Sequence, residues 1–145
     1  MNNNVCNIFT AIKKVTLISV LFFSITNAQG VFITEIADPF NVENGGRFVE
    51  LYNNTDADVD LSGWALRRWT NADTDPQADK ALQGTIPAGG FFIITNSASN
   101  FEITYYIEAD QDIGTGGPAD GNGDDDLALI NANGEVVDFY GEYGG

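Results

Sequence analysis

Asp120-Gly121-Asn122-Gly123-Asp124-Asp125-Asp126 sets oxygen-bearing side chains at alternate positions with glycines between them. Calcium takes six to eight oxygen ligands, and such alternation can turn several of them inward on one loop. Asp120, Asn122, Asp124 and Asp126 are therefore the candidate calcium ligands, and Asp110 and Asp112 are further acids that could join them. The segment is not an EF-hand: Asp125 stands where that loop needs glycine, and Asn131 stands where it needs a bidentate glutamate. The same residues also read as a solvated turn feeding the apolar run Leu127–Ile130, with Gly121 and Gly123 supplying positive φ. Both readings stand at this point.

A second constellation is Trp64-Ala65-Leu66-Arg67-Arg68-Trp69. If Trp64 and Leu66 face inward on a strand, then Ala65, Arg67 and Trp69 face outward. A tryptophan beside an arginine has the composition of a recognition hot spot and can stack on a sugar or a protein. Arg67 and Trp69 are thus the candidate binding surface. Alternatively, a β-bulge at Arg67-Arg68 turns Trp69 over the end of the core, and either arginine pairs with Glu50 on a neighbouring strand. Tyr105 and Tyr106 are two more aromatic residues of unassigned role.

Composition removes much other chemistry. The chain has no histidine and one cysteine, Cys6, near its start. Ser-His-Asp and Cys-His nucleophile systems are therefore excluded, as are zinc sites of the usual His/Cys kind. No glycine-rich phosphate loop precedes a helix. What remains is a carboxylate pair of the glycosidase sort, with Glu50 and Asp124 as positions to test. A small sandwich rarely offers the deep cleft such a pair needs, so no residue is assigned a catalytic role and the chain is read as no enzyme.

The N-terminus bears on location. Lys13 and Lys14 precede an apolar run of about 11 residues, Val15 to Ile25, followed by Thr26-Asn27-Ala28. This is the pattern of a secretory signal peptide over residues 1–28, and the run is well short of the ~20 residues a membrane-spanning helix needs. Cys6 lies ahead of the apolar core, where it cannot serve as a lipoprotein cysteine. Cleavage after Ala28 leaves residues 29–145 as one domain, with no transmembrane segment and no cysteine for a disulfide. The expected location is secreted or cell-surface. The formal net charge is −15, and loss of the two lysines leaves four basic against 21 acidic residues, a charge of −17. Such acidity disfavours direct nucleic-acid binding, which relies on clustered Lys and Arg.

The elements that must carry these residues are strands. Val31–Ile36, Arg47–Tyr52, Val59–Leu61, Trp64–Trp69, Phe91–Thr95, Leu127–Ile130 and Val136–Tyr140 are short and rich in β-branched or aromatic residues, with turn signals between them. On the second run Val49 and Leu51 share one face, and Phe48, Glu50 and Tyr52 share the other. Asn133-Gly134 predicts a hairpin between the last two runs. No helix is expected, and Ser97 to Asp126 reads as a long loop. The fold class is all-β, a sandwich or barrel.

The order of the pieces carries more than any one of them. Phe32-Ile33-Thr34-Glu35-Ile36 is followed by Phe48-Val49-Glu50-Leu51-Tyr52-Asn53, Val59-Asp60-Leu61-Ser62-Gly63-Trp64-Ala65-Leu66 and Ile86-Pro87-Ala88-Gly89-Gly90-Phe91. Gly123-Asp124-Asp125-Asp126-Leu127-Ala128-Leu129 and Gly134-Glu135-Val136-Val137-Asp138 complete the series. This succession resembles the lamin tail domain, including its bacterial secreted members, from about Val31 to Tyr140. The resemblance implies an immunoglobulin-like β-sandwich that is non-catalytic and serves contacts with other molecules. The expected role is a secreted binding, adhesion or targeting module with a protein or polysaccharide ligand. The alternative is a calcium-stabilised accessory domain of a larger exported hydrolase or nuclease, favoured if the reading frame continues past Gly145.

Overall fold

A computed structural model describes residues 30–39, 46–71 and 73–142. The leader read over residues 1–28 lies outside the described residues. Two four-stranded sheets face each other across one core. The first has the order β1 (Val31–Ala37), β2 (Phe48–Asn53), β7 (Phe91–Thr95) and β8 (Gln111–Asp112). The second has the order β10 (Val136–Tyr140), β9 (Asp126–Ile130), β4 (Ala65–Trp69) and β5 (Lys80–Ala81). A short ribbon of β3 (Val59–Asp60) and β6 (Thr85–Ile86) closes one side. All pairings are antiparallel except the parallel β7–β8 pair. This is the all-β sandwich, one of the two forms expected from the run of short strands, and it agrees with the immunoglobulin-like architecture that the resemblance implies.

Period-two alternation decides what each strand buries. Val49 and Leu51 of β2, Phe92 and Ile94 of β7, Leu66 of β4, and Leu127 and Leu129 of β9 meet in the core with Val31, Leu61, Leu82 and Ile86. Asn53 ends β2 fully buried, and its amide is satisfied in place. Its Nδ2 donates to the carbonyls of Ala57, Ile86 and Pro87, and its Oδ1 accepts from the N–H and hydroxyl of Thr55. The Asn133-Gly134 hairpin forms as expected: Gly134 takes φ 81°, and the Asn131 and Gly134 amides close the turn at 2.9 Å each.

The segment expected to be a long loop is not one. It holds an α-helix, α1 (Ala98–Tyr105), then β8, then a 3₁₀ turn at Pro118–Asp120. Local signals do not announce α1, because Ser97 makes no side-chain cap. The cap comes from elsewhere: Asp112 Oδ2, on β8, accepts the Ala98 N–H at 2.8 Å. Tyr106 then ends the helix in the left-handed region, and its N–H donates to the Glu102 carbonyl. Phe101 anchors α1 on the outer face of β2 by packing edge-on against Phe48 at 5.5 Å, with Tyr105 beside both.

Candidate functional site

The candidate calcium loop is organised by a residue outside the proposed set. Asp125 turns inward from the start of β9 and lies 3.6 Å from Nη1 of Arg68, an ion pair in which both side chains are more than nine-tenths buried. Asp125 Oδ1 accepts the Asn71 N–H, and Oδ2 accepts the Asn122 N–H. Arg68 Nη1 donates to the Gly117 carbonyl at 2.9 Å, which fixes the guanidinium beneath the 3₁₀ turn. Arg68 occupies the inward position after Leu66, so the alternation that buries Leu66 also buries the charge.

The four residues proposed as ligands go different ways. Asp120 Oδ1 accepts from Arg47 Nη1 at 3.1 Å and Asn96 Nδ2 at 2.8 Å, while Oδ2 accepts the Gly116 N–H at 2.8 Å. Burial pushes the Asp120 carboxyl up, but the Gly116, Asn96 and Arg47 donors outweigh it and hold the group below its ordinary value. Arg47 is shared, its Nε donating to Asp38 Oδ1 at 2.9 Å. Asn122 contributes its backbone N–H to Asp125, Asp124 is exposed, and Asp126 Oδ1 accepts the Glu142 N–H. Asp110 and Asp112 serve the Ile93, Ala98 and Gly114 amides at the β7–β8 edge. Among the described residues no three acidic side chains converge as metal ligands would. Gly123 does take positive φ, at 82°, whereas Gly121 is extended at φ −65°. The expectation that both glycines are left-handed therefore holds for one of them.

Arg67 and Trp69 do come together. The β4–β9 register runs without a shift from Ala65↔Ile130 to Trp69↔Asp126, so there is no bulge and Trp69 stays on the outer face with Arg67. The guanidinium carbon of Arg67 stands 5.9 Å from the Trp69 ring centroid, and Phe139 packs on that ring at 5.8 Å. Neither arginine pairs with Glu50. Arg67 forms a bidentate pair with Asp79, at 2.7 and 2.8 Å, and this hydrogen bonding holds the Asp79 carboxyl below its ordinary value. Glu50 lies in the other sheet and accepts the Thr34 hydroxyl at 2.7 Å, away from the loop that carries Asp124.

One surface escapes a reading of single strands. Register places Phe32, Tyr52 and Phe91 side by side across β1, β2 and β7 on the outer face of the first sheet. Phe32 meets Tyr52 edge-on at 5.7 Å, Tyr52 meets Phe91 at 4.8 Å, and Phe91 is 54% exposed. The helix layered on this sheet leaves Ile103 and Tyr106 to solvent, at 72% and 88%. Sequence alone puts Tyr52 on the outward face; assembling the row requires the pairing of three strands.

No helix among the described residues is long and apolar enough to cross a membrane. No curated protein matches the chain. The family model for the lamin tail domain matches residues 24–144, which agrees with the six ordered segments and with the sandwich they form. Lamin tail domains are non-enzymatic immunoglobulin-like domains, and with a match over most of its length the chain belongs to the lamin tail domain family.

Proposed function

We propose that this domain is a non-catalytic binding or adhesion module acting outside the cytoplasm. The observation that carries the reading is the apolar surface of the first sheet. Phe32, Tyr52 and Phe91 form an aromatic row, with Ile103, Tyr106 and Ile107 exposed on and just after the helix packed over the same sheet. In a chain of net charge −15, exposed aromatic and aliphatic side chains gathered on one layer mark a contact surface better than scattered ones do. The Arg67–Trp69 surface is a lesser candidate, since Asp79 and Phe139 already engage it. The basic pair Lys13-Lys14 and the apolar run after it support export. An accessory role beside an exported hydrolase would use the same surface for targeting.

Adsorption tests this reading. The full chain is mixed with cellulose, with chitin and with cell envelopes of the producing organism, and the protein left in solution is measured. The expected result is depletion by at least one of these, abolished by the combined changes Phe91→Ser, Ile103→Ser and Tyr106→Ser, with no reducing ends released. Equal depletion of parent and variant, or none by either, overturns it.

A further inference from the structure

Glycine follows asparagine at Asn44, Asn122 and Asn133. Asn44 lies outside the described residues. Asparagine is a thermally labile residue, and a following glycine leaves the next amide nitrogen unshielded by any side chain. Asn122, Asn133 and the glycines after them are all exposed, so access to solvent treats the two sites alike. Acids flank both, Asp124 at one and Glu135 at the other, so local charge does not separate them either.

Hydrogen bonding does separate them. Asn133-Gly134 sits inside a clamped hairpin. The Asn131 N–H donates to the Glu135 carbonyl, and Asn131 Oδ1 accepts from the N–H groups of Asn133 and Glu135. The Gly134 nitrogen is itself committed, donating to the Asn131 carbonyl at 2.9 Å. At Asn122-Gly123 only the Asn122 N–H is held, by Asp125 Oδ2 at 3.2 Å. Among the described residues neither the Asn122 side-chain amide nor the Gly123 N–H has a hydrogen-bond partner.

We infer that Asn122 is a site of spontaneous deamidation in the folded domain and reacts ahead of Asn133. The inference is independent of the binding reading above. Solvent base takes the proton of the Gly123 amide, and that nitrogen attacks Cγ of Asn122. The bond from Cγ to the side-chain nitrogen breaks, and ammonia leaves with a proton returned by solvent. Water then opens the cyclic imide at either carbonyl, giving aspartate or isoaspartate, with nothing oxidised or reduced. Isoaspartate lengthens the main chain by a methylene just after the N–H that Asp125 accepts. That N–H and the Asn71 N–H are the amides that hold the Asp125 carboxylate beside Arg68, where both side chains are more than nine-tenths buried. The modification therefore loosens the buried Arg68–Asp125 pair.

The test incubates the full chain in mildly alkaline heavy-oxygen water, so that each imide opened by water keeps a heavy oxygen. Peptide fragmentation then assigns the label residue by residue, which separates Asn122 from Asp120 in the same segment. Label is expected at residue 122 about fivefold or more faster than at 133, the factor set by the hydrogen bond that must first break at Gly134. In concentrated urea the two rates should converge, since both sites are then the same dipeptide in an unfolded chain. Label at 133 as fast as at 122 in the folded chain, or at neither, overturns the inference. A lead of 122 that persists undiminished in urea also overturns it, because the cause would then lie in the neighbouring sequence. Aged parent should melt roughly 3–6 °C lower than fresh protein, as loss of one hydrogen bond implies, while aged Asn122→Gln should not. An equal loss in that variant refutes the assignment to this loop.

Discussion

Replacing Asp120 with alanine removes the carboxylate that ties three segments together. It serves Arg47 at the start of β2, Asn96 just after β7 and the Gly116 amide ahead of the 3₁₀ turn. Asn96 is 2% exposed, and its Oδ1 already lacks a hydrogen-bond partner. Loss of the acceptor for Nδ2 leaves a buried amide unsatisfied at a cost of about 1–3 kcal/mol. The Arg47 pair is partly exposed, at 21% and 19%, and contributes no more than about 1 kcal/mol. The expected loss is therefore about 1–4 kcal/mol, read as a lower urea midpoint at unchanged slope. Asn96→Leu placed in the Asp120→Ala background should recover part of it, because two apolar side chains leave nothing unpaired, and the cycle should show coupling of about 1 kcal/mol or more. The measurement is made in calcium and again in a chelator. Ion pairing and hydrogen bonding give the same loss in both. A calcium site of about 10 µM affinity at 1 mM calcium would add about 2.7 kcal/mol to the parent alone and widen the gap by that amount. Such widening, or an Asp120→Ala loss below about 0.5 kcal/mol, refutes the reasoning.

Acid should close the gap between the parent and Asp120→Asn. The folded-state value of Asp120 is held below 3.8, so its contribution is present above that pH and is lost as pH falls through the folded value; urea unfolding at neutral pH and below pH 3.8 checks this. Gly141→Ala should cost about 1–3 kcal/mol in thermal unfolding, because φ is +124° and the new Cβ would collide with the Asp126 carboxylate. Trp69→Ala should cost about 1–2 kcal/mol by uncovering Phe139 and Arg67, and Arg67→Ala less than about 1 kcal/mol; a Trp69→Ala domain as stable as the parent would restore Trp69 as a ligand-binding residue.

The strands were legible because their signal is local. Val49 and Leu51 face the core as alternation requires, and Asn133-Gly134 makes the turn its dihedral preference requires. Failures fall where a distant residue decides. The helix at Ala98–Tyr105 depends on a carboxylate from β8 at its N-terminus and on Phe48 beneath it, neither of which a window around Ser97 contains. The two-residue strands β5, β6 and β8 exist only through their partners and have no periodicity of their own. In the 120–126 segment, even spacing of oxygens suggests one focus. The backbone instead turns Asp125 in toward Arg68 and spends Asp120 on Arg47 and Asn96. Burial of Arg68 could have been read from the inward phase of Leu66, since period two makes residue 68 follow residue 66.

The acidity has a structural use that bears on which surfaces can choose a ligand. Among the described residues Asp58, Asp60, Asp110, Asp112, Asp120, Asp125, Asp126 and Asp138 each accept a backbone N–H, several from segments far away in sequence. Asp138 on β10 takes the Ile33 amide of β1 at 2.7 Å and so joins the two sheets at their edge. The register of β1 against β2 shifts between Ile33 and Glu35, which makes that amide available. Carboxylates acting as loop tethers do for this domain what cross-links do in disulfide-bonded ones, each contributing modestly because most are near solvent. An oxygen already held by amides is a poor metal ligand, since a cation would have to displace those donors and leave them unpaired. Overall negative charge then sets solubility and repels anions without selecting any partner. Selection falls to the uncharged Phe32–Tyr52–Phe91 row. Salt should therefore change the rate of ligand capture by this domain more than its equilibrium affinity.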